Sequence, residues 1–204
     1  MDADFSIELG RDDAVLDFPW ADPESKLAYV DVKRHPERLS QIEEAERFAE
    51  LREFLRTLNS PRSAVETAKC DAWATTELSA EEEIYHASHK FSSYIDVVFS
   101  PLEARQSLDW PADRPAFDRR SLSAYEEFST KLVKLLQRAP ETPSAVEISV
   151  RRCYFDEPAG VQDGYYCTLY VTGYGSDEAS ARQTWGVGLK LTANAILQIS
   201  AATR

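Results

Sequence analysis

No uncharged apolar run in these 204 residues approaches the roughly 18 that a membrane-spanning helix needs. The opening decapeptide MDADFSIELG lacks the basic stretch and following apolar segment of an export signal. The chain is therefore expected to be soluble, to engage no membrane and to stay in the cytoplasm. Positive charge is in short supply, with 23 Lys and Arg against 35 Asp and Glu and a net charge of −12. Such a balance opposes attraction to phosphate backbones, so nucleic acid is not an expected partner. The three cysteines, Cys70, Cys153 and Cys167, are odd in number and form no Cys-x-x-Cys pair for zinc or dithiol chemistry; reduced thiols are the simplest reading. No serine lies in a Gly-x-Ser-x-Gly elbow, which leaves a hydrolase unsupported. Gly173-Tyr174-Gly175-Ser176 precedes a predicted helix as a dinucleotide loop would. Its third glycine is replaced by Glu178, however, and Asp177 and Glu178 would repel a pyrophosphate. No cofactor is expected.

What is present suffices for one domain over residues 1–204, since 43% of the chain is hydrophobic. Acidity gathers at the front: Asp2, Asp4, Glu8, Asp12, Asp13, Asp17, Asp22 and Glu24 face Arg11 alone within residues 1–25. There Phe5, Ile7 and Leu9 alternate with polar residues, Gly10 to Asp13 reads as a turn, and an acidic hairpin ending at Pro19-Trp20 is predicted. Residues 26–33 alternate as a strand. Ile42, Ala45, Phe48, Leu51, Leu55 and Leu58 recur at helical spacing, which predicts one amphipathic helix over 37–59. Strands follow at 64–73 and 91–99. Between them, Ser79-x-x-Glu82 predicts a capped helix over 80–89. Three prolines make 101–120 an irregular crossing, and a second stripe from Tyr125 to Leu135 predicts a helix to about 137. Two strands at 145–155 and 165–172 and a last helix from Ser176 complete the order.

Helix, strand, strand thus occurs twice, and Ser-Ala-Val-Glu opens the first strand each time, at 63–66 and 144–147. Pseudo-repeats over 37–108 and 121–204 are the resulting expectation, although two units obeying the same packing rules would look alike. The predicted fold class is α+β: a largely antiparallel sheet, helices packed on one face, and an internal duplication with an approximate twofold axis.

Two constellations could carry chemistry. The proposed repeat sets the strand core holding Cys70, Asp71 and Trp73 against the one holding Arg151, Arg152 and Cys153, and the charges in these apolar strands must reach solvent, each other or a ligand. An Asp71 to Arg152 pair would satisfy both partners. If the arginines instead faced a groove between the halves, they would suit a carboxylate or phosphate, with a cysteine nearby as thiolate. Glu82, His86 and His89 stand at i, i+4 and i+7, a set that could hold a borderline metal on one helix face, against the plainer reading of a solvated turn. The leading functional expectation is a noncatalytic binding or protein-interaction protein for an unidentified protein or small-molecule partner, with a homodimer left open. Its acidic pole would suit a basic partner, as in an inhibitor or immunity protein. The competing expectation is a small enzyme or ligand-binding protein using the groove.

Overall fold

The computed structural model describes residues 1–78, 86–100 and 117–201. Alternation of β-branched and aromatic residues with small or polar ones builds four long strands. They are β5 (Val65–Thr75), β6 (His89–Phe99), β7 (Ser144–Glu157) and β8 (Gly160–Gly175). Two short strands precede them, β1 (Asp2–Ile7) and β2 (Leu16–Phe18), and a minor pair, β3 (Ala21–Asp22) with β4 (Leu27–Ala28), lies off the sheet. The sheet runs β1-β7-β8-β6-β5, with β2 continuing along β7 beyond β1. All pairings among β5 to β8 are antiparallel, and β1 and β2 pair with β7 in parallel.

One face of the sheet is dry. Val146, Ile148 and Val150 of β7, Leu169 and Val171 of β8, and Phe91, Ile95 and Phe99 of β6 point into a single apolar core. It is covered by α2 (Ala49–Leu58), α3 (Leu122–Gln137) and α4 (Glu178–Ala201). Their helical stripes supply Leu51, Phe54 and Leu55, then Tyr125, Phe128 and Leu132, then Trp185, Leu189 and Ile196. Trp185 is fully buried, and its indole N–H donates to Ser93 Oγ at 2.9 Å, which satisfies the one polar atom it carries inside. Among the described residues no helix is long and apolar enough to cross a membrane.

The fold is α+β, as the element pattern predicts, and the order helix, strand, strand does occur twice. Several details differ. The N-terminal hairpin does not exist: β1 and β2 each extend along the outer edge of β7, so the acidic segment satisfies its backbone on a long strand already present rather than on itself. The helix over 37–59 is three pieces, a 3-10 turn at Pro36–Gln41, α1 (Glu43–Arg47) and α2, because Ile42 and Phe48 are extended. The break at Phe48 lets its ring pack edge-on to Phe91 and Trp185, at 5.2 and 6.0 Å between centroids. Of the strand over 26–33 only β4 remains. The predicted helix over 80–89 and the crossing over 101–120 lie largely outside the described residues.

After β2 the chain leaves the edge of β7 and crosses the other face of the sheet as a strap. Phe18 meets Tyr29 and Phe155 edge-on, and with Leu16, Ala68, Val98, Cys153 and Tyr166 forms a second, smaller apolar cluster beneath it. Phe18, Trp20 and Tyr29 are thus a packed corner, not an exposed aromatic patch. The strap is tied to the far edge. Trp20 Nε1 donates to the Ala68 carbonyl at 2.7 Å, and the Lys33 ammonium, only 3% exposed, donates to the carbonyls of Ser60, Ser63 and Val65. Three carbonyl acceptors are what a buried ammonium requires.

Candidate functional site: the open face and outer edge of the sheet

The strap covers half of the second face, and the other half is open. Strand register fixes what it displays. One row crosses the sheet as Ser6, Ser149, Thr168, Asp96 and Lys69, the next as Asp4, Glu147, Tyr170, Tyr94 and Asp71, and a third as Ala145, Thr172, Ser92 and Trp73.

The first row is wired together. The Glu8 carboxylate accepts from Ser6 and Ser149 hydroxyls at 2.9 Å and from Arg151 Nε at 2.7 Å. Arg151 also donates to the Thr168 and Tyr170 hydroxyls, both at 3.1 Å, and Thr168 donates onward to Asp96 Oδ1 at 2.7 Å. Burial raises the Glu8 pKa, but the bonds from Arg151, Ser149 and Ser6 outweigh it and leave the group below its ordinary range. Burial likewise pushes Asp96 up to about 6, against the pull of the Thr168 hydroxyl. This chain of contacts joins β1, β7, β8 and β6, so it fastens β1 to the sheet and holds the display face rigid. Arg151→Ala is expected to lower unfolding free energy by roughly 2 kcal/mol. About 1 kcal/mol of that loss should vanish when Glu8 is already alanine. A urea-denaturation double-mutant cycle measures both, and additive losses would refute the coupling.

The residues that the sequence aligned are separated. Asp71 and Trp73 face the open side of β5, and Arg151 faces that side of β7, but Cys70 and Arg152 point to the other side. The order β7-β8-β6-β5 puts ~14 Å between the outer two strands. The Asp71 to Arg152 pair is therefore absent, and Arg152 instead donates to the Leu9 carbonyl at 2.7 Å. That Asp71 and Arg152 also lie on opposite faces is due to a bulge between Thr67 and Lys69, which shifts β5 by one residue and reverses the faces of everything after it. Nor do the two halves flank a groove: they join through β6 and β8 as one continuous sheet. Cys153 is buried beneath the strap, and burial raises the thiol pKa of both Cys70 and Cys153, the opposite of an activated thiolate.

His86 lies in a turn with φ 50° and His89 opens β6, its Nδ1 3.0 Å from Ser88 Oγ, so helical spacing does not hold at 86–89. Glu82 lies outside the described residues. Among the described residues no three His, Cys, Asp or Glu side chains gather to hold a metal.

Concavities lie on and beside this second face among the described residues. A trough of about 540 Å³ runs over the third row, floored by Ala145, Thr172 and Ser92 and walled by Trp73, Tyr170 and Glu147. A slot of about 390 Å³ lies along the β5 edge between Trp20 and Leu27 of the strap and Ile42, Glu43 and Glu44 at the start of α1. A third cavity of about 540 Å³, under Phe18 and Tyr29, holds Glu66. Burial pushes Glu66 up to about 7 despite Lys33 and Arg34 nearby, and its Oε2 has no hydrogen-bond partner among the described residues. Sequence reasoning did not single out Glu66 or Asp96. Both are lone carboxylates in runs of β-branched residues, and that is the signal that could have found them.

The chain matches no family model, no curated protein and no solved structure.

Proposed function

We propose that the chain is a noncatalytic binding protein that takes up a basic protein partner on the open face of its sheet. The observation that carries this reading is Trp73, which stands 39% exposed, tilted against Tyr94 at 6.4 Å, on the same face as Asp71 and Glu147. A large indole held out from a rigid sheet is the kind of side chain that anchors interfaces, and carboxylates around it select for positive charge. A net charge of −12 steers such a partner in and works against both nucleic acid and face-to-face pairing of two copies. The three unpaired thiols fit a cytoplasmic setting, where they stay reduced.

Selection of random displayed peptides on the immobilised protein tests the reading. Recovered sequences should be enriched in Lys and Arg. Their Kd should rise about tenfold on Trp73→Ala and again on Glu147→Lys, and should rise with added salt. Recovered sequences without basic enrichment, or affinities indifferent to Trp73→Ala, would remove it.

A further inference from the structure

The bulge on β5 divides the outer edge of the sheet into a sealed half and an open half, and we infer that the open half, residues 69–75, accepts an extended basic peptide as an added strand. This rests on the partner reading above and specifies how such a partner docks.

An antiparallel edge strand turns the amide and carbonyl of every second residue outward. Before the bulge these residues are Val65 and Thr67, and each is capped. The Val65 carbonyl accepts from Lys33 at 2.8 Å, its amide donates to Ser63 Oγ at 3.3 Å, and the Thr67 amide donates to Asn59 Oδ1 at 3.1 Å. At the bulge the Ala68 carbonyl accepts from Trp20. The one-residue slip then changes the phase, so Cys70, Ala72 and Ala74 turn outward. The Ala72 amide shows the change directly, since it donates outside the β6 ladder to the carboxylate of Asp71 at 2.7 Å. For the Cys70 and Ala74 amides no cap is found among the described residues. The side chains that blunt the first half thus stop where the phase reverses.

The slot beside Cys70 occupies the position of a next strand. Strands lie about 4.8 Å apart, and this space is bounded on one side by the strap and on the other by the start of α1, with Cys70 and Asp71 at its inner wall. Side chains of an added strand would point alternately toward Glu43 and Glu44 and toward Asp71 and Trp73. Among the described residues that line the slot Lys69 alone opposes the three carboxylates, and its ammonium already lies 5.0 Å over the Trp20 ring. The occupant these groups recognise is an extended segment with basic residues on alternate positions. Main-chain bonds would supply its affinity and the carboxylates its selectivity. A second copy of this chain would bring like charges together at the same place.

The test uses the full chain and a capped heptapeptide of alternating Lys and Val, with a Glu/Val heptapeptide as control, read by amide hydrogen exchange. The expected result is at least tenfold slower exchange at Cys70 and Ala74 with the Lys peptide, no change at Thr67, and no effect of the Glu peptide. Ala74→Pro removes an outward amide without touching the bonds to β6, so it should weaken binding at least tenfold. The exchange measurement on the native sequence stands whether or not that variant folds. Binding that leaves Cys70 and Ala74 unchanged would overturn strand addition while leaving the face as a docking site. Absence of binding would overturn it as well, the partner reading then being decided by the peptide selection. Protection that appears without peptide and grows with protein concentration would assign the edge to a second copy and overturn it too.

Discussion

Gly173→Ala is expected to lower the stability of this protein by at least about 4 kcal/mol, beyond the usual range for an overpacked site and enough to leave little folded protein if the domain is ordinarily stable. Gly173 lies on β8 where α4 crosses the sheet. A Cβ there would run into the backbone amide of Trp185 and lie 2.5 Å from the Ala181 carbonyl oxygen and 2.6 Å from Trp185 Cα. None of these atoms is the free end of a side chain. Relief would require the helix to lift as a body, and Trp185, buried against Phe91 and bonded to Ser93, holds it down. Glycine in a strand interior weakens the strand, and here that loss is offset by the close approach of helix to sheet that only glycine allows. Gly186→Ala, on α4 next to Trp185, supplies the contrast. Among the described residues its Cβ would meet only Glu50, with Cγ at 3.1 Å, and alanine is the better helix former, so stability should stay level or rise by up to about 1 kcal/mol. Paired urea titrations decide the matter, and equal effects at the two positions would show that helix propensity, not helix-to-strand distance, governs both.

The same physics explains what could be read from the sequence. The stripes of α3 and α4 and the β-branched density of β6 and β8 are long and regular, so both the elements and the dry face followed from periodicity. The N-terminus did not, because Phe5, Ile7 and Leu9 alternate equally well in a hairpin or along a neighbour, and the choice depends on β7 offering an unpaired edge far away in sequence. The break at Phe48 is a tertiary effect too, set by the rings of Phe91 and Trp185. The candidate site fared worst for one local reason. The bulge at Ala68 carries neither glycine nor proline, so nothing in the sequence announced that Asp71 would lie on the opposite face from Arg152. Asp71 and Trp73 stand out in the sequence as a charged and an aromatic residue within an apolar strand. The partner expected for Asp71 is not the one it meets, because strand order and register, not composition, decide partners.

Glu66→Gln should reshape the pH dependence of stability. In the unfolded chain Glu66 ionises near 4.5, and in the fold burial pushes it up to about 7, with Lys33, Arg34 and Arg119 pulling down and Asp31 pushing up. Below the unfolded value both states hold the proton and the group contributes no pH dependence. Between the two values the unfolded chain releases it while the folded chain keeps it, so stability falls as pH rises, by up to about 1.4 kcal/mol per pH unit. Above about 7 the loss levels off at roughly 3 kcal/mol, the free energy of holding an ionised carboxylate whose Oε2 has no donor among the described residues. Asp96, pushed up to about 6, adds a decline of the same sign at slightly lower pH and is untouched by the change. Glutamine cannot ionise, so Glu66→Gln should be about 2 kcal/mol more stable than the native sequence at pH 8, allowing for an amide that must itself find partners, and no more stable at pH 4. Urea unfolding at both pH values isolates the effect from the other carboxylates, which both proteins share. A difference that is the same at pH 4 and pH 8 would mean that Glu66 keeps its ordinary ionisation under the strap, and that Tyr29 and Phe18 do not shield it from water.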